Sequence, residues 1–115
     1  MQKRKKGRVF NRSSSQRLAL FRSQARELIL RGRMNTTLAK AKELRPKIEK
    51  MVSRARVDNL ANRRLLLRHL SPQVVNRLFK EVAPKYKERA GGYTRITKTG
   101  LRGSDKAKTA LIEFV

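Results

Sequence analysis

His69 is the single histidine of the chain and sits in "LLLRHL", residues 65–70. Histidine is the side chain best suited to moving a proton near neutral pH, but a general base needs an orienting carboxylate or a nucleophile beside it. The nearest acids, Asp58 and Glu81, are each more than ten residues away, and Arg68 is adjacent. That setting fits a helix-surface residue or a phosphate contact better than a base. The acids Glu27, Glu43, Glu49, Asp58, Glu81, Glu88, Asp105 and Glu113 are scattered, with no close pair and no metal-ligand spacing. Asp58 reads as a helix cap, and Glu27 and Glu43 as partners for surface Arg or Lys. There is no cysteine, which removes disulfides and thiolate metal sites. Gly91-Gly92 has neither the spacing of a phosphate loop nor a helix after it. Convergent titratable groups are what catalysis requires, and they are missing. The sequence therefore argues against an enzyme, a cofactor and a small-molecule substrate.

Cations are what remain. Lys and Arg number 31 against 8 Asp and Glu, a formal charge of +23, and self-repulsion of that size makes a polyanion part of the working state. Two stretches concentrate the charge. The first, "KRKKGRVFNRSSSQR" (3–17), holds seven Lys or Arg, no acid and no apolar stripe that could fold inward. Fixed cations gain affinity by releasing counterions condensed on phosphates, and an unfolded segment can do this as it orders. Lys3, Arg4, Lys5, Lys6, Arg8 and Arg12 are the phosphate-contact candidates, with Arg8 and Arg12 able to fork onto phosphate oxygens as Lys cannot. Phe10 either stacks on a base or plugs a groove, or else tethers the segment to the domain. The second stretch is "KYKERAGGYTRITKTGLR" (85–102), where Tyr86 and Tyr93 interleave with basic residues. Tyr93, Arg95, Lys98 and Arg102 are its contact candidates, Tyr93 serving equally well as core rim or base stacker. Arg17, Arg22, Arg63 and Arg64, on helical segments, complete the set.

Those side chains need a frame. Ser14 or Ser15 caps a helix whose stripe is Leu18, Phe21, Ala25, Leu28 and Ile29, and Gly32 stops it. "RMNTT" favours a short strand, with Thr36 or Thr37 capping the next helix. That helix carries Ala41, Leu44, Ile48, Val52 and Ala55, and Pro46 inside it must kink or split it near Arg45. Asp58 then caps a third helix bearing Ala61, Leu65 and possibly Leu66. Ser71-Pro72 restarts a fourth, with Val74, Val75, Leu78, Phe79 and Val82 buried and an end before Pro84. "YTRITKT" (93–99) and "TALIEFV" (109–115) read as strands. The expected fold is α+β: a small three-stranded mixed sheet packed against about four helices. Residues 1–13 form a basic RNA-binding extension and 14–115 a single domain. The longest apolar runs are a few residues, far short of a membrane span. Val9-Phe10 is too short for a secretory core. A mitochondrial transit peptide shares the Arg- and Ser-rich, acid-poor composition, but here the basic character continues throughout the chain.

The segments 59–69 and 72–82 imitate a helix-turn-helix, with Gln73, Asn76, Arg77 and Lys80 as would-be base readers. A DNA-binding architectural or regulatory protein is thus the alternative to an RNA binder. Charge spread over the whole chain, with a basic limb at one end and a basic loop near the other, suits a densely folded RNA better. Together, "GRVFNRSSSQRLALFR", "NTTLAKAKELRP" and "AGGYTRI" resemble the seventeenth protein family of the bacterial large ribosomal subunit. The likeness runs in order over nearly the whole chain. It implies an α+β domain with a basic N-terminal extension, bound as a monomer to large-subunit ribosomal RNA near the nascent-chain exit region. It implies neighbouring large-subunit proteins as partners, a structural role and a cytoplasmic location in the ribosome, with no membrane involvement.

Overall fold

The structure, a computed structural model, describes residues 14–101, 103 and 107–115. The first helix, α1, spans Ser14–Arg31. Gly32 ends it in the left-handed region (φ 83°), where its amide reaches back to the Leu28 carbonyl at 2.7 Å. Only the second half of the α1 stripe enters the core: Ala25, Leu28 and Ile29 are buried, Phe21 is half-buried and Leu18 is 40% exposed. Strand β1 (Arg33–Thr37) follows, and Thr37 caps α2 (Leu38–Ala55) by accepting from the Lys40 amide.

Helix α2 is the central element and buries Leu38, Ala41, Leu44, Ile48, Met51, Val52 and Ala55. It is one uninterrupted helix, so of the two effects expected of Pro46, a kink or a split, the split does not occur. Pro46 and Lys42, the residue whose carbonyl loses its donor, are both exposed, and water can replace that bond. Buried side chains on the turns either side, Leu44 and Ile48, hold the rod together across the proline.

Helix α3 (Leu60–Leu67) is capped by Asn59, not Asp58: the Asn59 side chain accepts from the Asn62 amide at 2.8 Å. Asp58 is engaged by Arg63 instead. Leu66 is buried and Leu65 half-buried, while Ala61 is exposed, because only the last turn of this short helix reaches the core. Pro72 sits in the first turn of α4 (Pro72–Arg77), although the Ser71 hydroxyl makes no capping bond. The helix does not stop before Pro84. It widens into a π-helical turn over Leu78–Val82, closed by the Ala83 amide on the Leu78 carbonyl, then tightens into a 3-10 turn over Ala83–Tyr86. Widening is one way to make room for a proline ring without a break. Val74, Val75, Leu78, Phe79 and Val82 are all buried, as their spacing predicts.

Strands β2 (Thr94–Leu101) and β3 (Lys108–Phe114) complete a sheet of order β1-β3-β2. Both pairings are antiparallel, so the sheet is not mixed. The reason lies in the strand order: β1 and β2 run the same way, but β3 lies between them and opposes both. On the helix-covered face Ile112 stands between Met34 and Ile96, and Ala110 between Thr36 and Lys98. The other face carries Arg33, Glu113 and Arg95 in one row and Asn35, Leu111 and Thr97 in the next. The architecture is α+β, with α2 packed against the sheet on one side and against α1 and α3 on the others.

Candidate nucleic-acid interface

The hairpin that carries the second basic stretch is held by an acid. The Glu49 carboxylate on α2 accepts from the Gly92 amide (2.9 Å), the Thr94 amide (2.9 Å) and the Thr94 hydroxyl (2.7 Å). Burial pushes this carboxyl up, but the bonds from Thr94 and from the backbone of Tyr93 and Gly92 outweigh it and hold Glu49 below the usual carboxylate range. The same clamp turns Tyr93 inward. Its ring is fully buried and tilted against Tyr86 at 5.1 Å, and its hydroxyl meets Ser53 (3.0 Å) and Arg56 (3.2 Å). Tyr93 is therefore a core residue and presents no face to a base, which corrects its place among the contact candidates. Tyr86 is also buried; its hydroxyl donates to the Val115 carbonyl, and desolvation pushes its pKa up.

Arg95 lies on the open face of the sheet, exposed, with two contacts to Glu113 at 2.7 and 3.1 Å. Lys98 is exposed at the far end of the helix-covered face. Arg17 is half-buried and donates to the Ser14 hydroxyl at 3.3 Å. Arg22 reaches the Arg68 carbonyl at 3.2 Å, tying α1 to the end of α3. Arg63 grips Asp58 with two bonds of 2.6 and 2.9 Å and lies 4.5 Å over the Phe79 ring, so its guanidinium is committed within the fold. The bond from Arg63 holds the Asp58 carboxyl below its usual range. Arg64 is exposed. Lys3, Arg4, Lys5, Lys6, Arg8, Phe10, Arg12 and Arg102 lie outside the described residues. Among the described residues the candidates other than Tyr93 thus fall into two groups, Arg17, Arg22, Arg63 and Arg64 around α1 and α3, and Arg95 with Lys98 on β2.

A third group escaped the sequence reading. The solvent side of α2 presents Lys42, Arg45, Lys47, Lys50 and Arg54, all exposed. Its signal was available: every charged residue of α2 is basic except Glu43 and Glu49, and Glu49 is turned to the 92–94 segment. The would-be DNA readers are less well placed. Helix α4 is six residues long before the π turn, and Arg77 is paired with Glu81 at 2.7 Å.

Among the described residues no group of His, Cys, Asp or Glu could hold a metal ion, and no helix is long and apolar enough to cross a membrane. A cation-coated α+β domain in which Glu27, Glu49, Asp58, Glu81 and Glu113 are engaged by the chain's own groups is the kind of chain that works inside a ribonucleoprotein. The family model described as ribosomal protein L17 matches residues 20–115, all three strands included, and the chain therefore belongs to that family, whose members are structural constituents of the large ribosomal subunit.

Proposed function

We propose that this chain binds large-subunit ribosomal RNA near the nascent-chain exit region, with neighbouring ribosomal proteins beside it, as a monomer in the cytoplasmic ribosome. It carries no catalytic activity and takes no cofactor or small-molecule substrate. Residues 1–13 act as a basic extension and 14–115 as one domain. The observation that carries this reading is the charge balance. With 31 cations against 8 acids, pairing every acid leaves a surplus of 23, and a surplus of that size needs a polyanion. Phosphate contacts come from Lys3, Arg4, Lys5, Lys6, Arg8 and Arg12 in the extension, from Arg22 and Arg64, and from Arg95, Lys98 and Arg102 in the hairpin. The exit-region assignment rests on the family resemblance of the quoted motifs.

Sedimentation tests it. In a lysate resolved on a sucrose gradient, the chain should travel with the large subunit and leave it only in high salt. Co-migration with nuclease-sensitive DNA, or a position at the top of the gradient at low salt, would overturn the proposal. Salt dependence tests the extension: replacing Lys5, Lys6 and Arg8 with Gln should flatten the slope of log affinity against log salt by about two. An unchanged slope means those charges never reach phosphate.

A further inference from the structure

Where α1, α2 and α3 meet, a cleft of about 320 Å³ opens to solvent. Its floor is apolar: Leu18 and Phe21 from the uncovered half of α1, Met51 from α2 and Leu65 from α3. Its rim is basic: Lys47, Lys50 and Arg54 from α2, and His69 just past α3. No acid lines it, and Glu49, on the neighbouring turn of α2, is held by Thr94 and Gly92. The Lys47 ammonium stands 5.0 Å from the Phe21 ring centroid. Among the described residues no ion pair or hydrogen bond engages the side chains of Lys50, Arg54 or His69.

We propose that this cleft receives one unstacked RNA base, with the phosphates on either side of it bound by the rim. The inference rests on the RNA-binding reading above and assigns it a site. A single base matches the cleft in size, since 320 Å³ is at the small end of ligand-binding cavities. It also matches in chemistry. Proteins that read single-stranded RNA offer an aromatic or apolar face to a splayed base and cations to its backbone. An apolar peptide would fill the floor but leave three unpaired cations around it. A base brings its own anions, spaced on both sides of the ring. The Lys47–Phe21 contact does not obstruct entry, because a cation–π contact at an exposed site is weak and the lysine stem is flexible. His69, the one residue whose type invited a catalytic reading, becomes a rim donor to phosphate or to a base edge.

The test uses the full chain, labelled with ¹³C at the methionine methyls, and two five-nucleotide single-stranded RNAs. One is UUAUU; the other has an abasic site in place of the central adenine, which keeps the phosphates and removes the base. Of the three methionines, Met51 lines the cleft and Met34 sits on β1, so the Met51 methyl reports and the Met34 methyl serves as the control. The RNA with the base should bind roughly fivefold or more tightly than the abasic one. It should shift the Met51 methyl and leave Met34 unmoved. Phe21→Leu, which keeps the apolar volume and loses the aromatic face, should bring that ratio close to one. Lys50→Gln with Arg54→Gln should weaken both RNAs to the same extent. Equal affinities with an unmoved Met51 overturn the base site and leave RNA binding standing. Binding to neither RNA at low salt overturns the RNA-binding reading itself. In assembled large subunits, ultraviolet crosslinking should attach a nucleotide at Phe21. A Lys50 crosslink to a neighbouring protein, with no such adduct, shows a protein in the cleft and refutes the proposal.

Discussion

Removing the Glu49 carboxylate should loosen the sheet from α2 at a predictable cost. Of its three donors, the Gly92 amide belongs to an exposed residue, and water can take over from the carboxylate there. Thr94 is only 3% exposed, so its amide and hydroxyl would be left without a partner in Glu49→Ala. Each buried donor so orphaned costs about 1–3 kcal/mol, and partial relaxation puts the sum near 3 kcal/mol. Glu49→Gln should cost less, about 1–2 kcal/mol, because one amide oxygen can still accept both Thr94 bonds while the charge assistance is lost. Urea unfolding followed by circular dichroism reads this directly, since a loss of about 3 kcal/mol moves the midpoint by on the order of 1–2 M at constant slope. The pH dependence gives a second reading. Folding holds the Glu49 pKa below its ordinary value of 4.5, so the unfolded chain binds more protons in that range. The stability it supplies is therefore complete above about pH 4.5 and is lost as pH falls through the lower folded value. Glu49→Ala should flatten that acid limb relative to the parent chain. A midpoint within experimental error of the parent, or an unchanged acid limb, would show that Thr94 finds other partners and that the clamp is incidental.

Three further outcomes are expected. Asn59→Ala should lower stability by about 1 kcal/mol in urea titrations, and Asp58→Asn by less, because Asn59 holds the cap; the reverse order would reinstate Asp58. Pro46→Ala should raise the urea midpoint, since it restores a backbone donor inside a helix that stays continuous around the proline; a lower midpoint would mean the ring makes a packing contact worth more than the hydrogen bond. Arg95→Gln should weaken filter-retained complexes with large-subunit RNA fragments more than Lys5→Gln at equal salt. Arg95 is already fixed on β2 beside Glu113, whereas ordering an unfolded segment costs about 1–2 kcal/mol per residue. Should Lys5→Gln prove the more damaging, the extension is the main anchor.

Elements whose ends are set by one residue were legible in the sequence. Gly32 stops α1 because the left-handed conformation that turns the chain into β1 is strained for other residues. Elements whose ends depend on tertiary packing were not. Proline rules predicted a kink or a split at Pro46 and an end before Pro84, yet the helix runs on through both, with buried neighbours on either side of each and a π turn absorbing the second. Asp58 and Asn59 are both good caps by type; what separates them is that Arg63 folds back onto the aspartate. Strict alternation placed Tyr93 on the Arg95 face, but the strand begins at Thr94. The Glu49 clamp twists the chain at that junction so that Tyr93 and Thr94 are both buried. The extension's charge could be read from the four consecutive cations Lys3, Arg4, Lys5 and Lys6. The apolar cleft could not, because Phe21, Met51 and Leu65 are far apart in sequence and share no periodicity.

The few acids reveal how the charge is organised. Asp58 fixes Arg63, Glu113 meets Arg95, Glu27 meets Arg31 at 2.7 Å, Glu81 meets Arg77, and Glu49 holds the 92–94 segment. None of these neutralises the exposed basic row of α2 along Lys47, Lys50 and Arg54. Ion pairs between exposed groups contribute little to stability, typically about 0–1 kcal/mol, so their value here is largely geometric. A guanidinium held beside a carboxylate has lost rotamer freedom before any phosphate arrives, and it still has N–H donors to offer. Cations with no acid beside them have no such partner to restrict their rotamers. The chain thus presents two kinds of positive charge. One is preset by Glu113 at the sheet, on Arg95; the other is adaptable and frames an apolar surface that the first half of α1 leaves open.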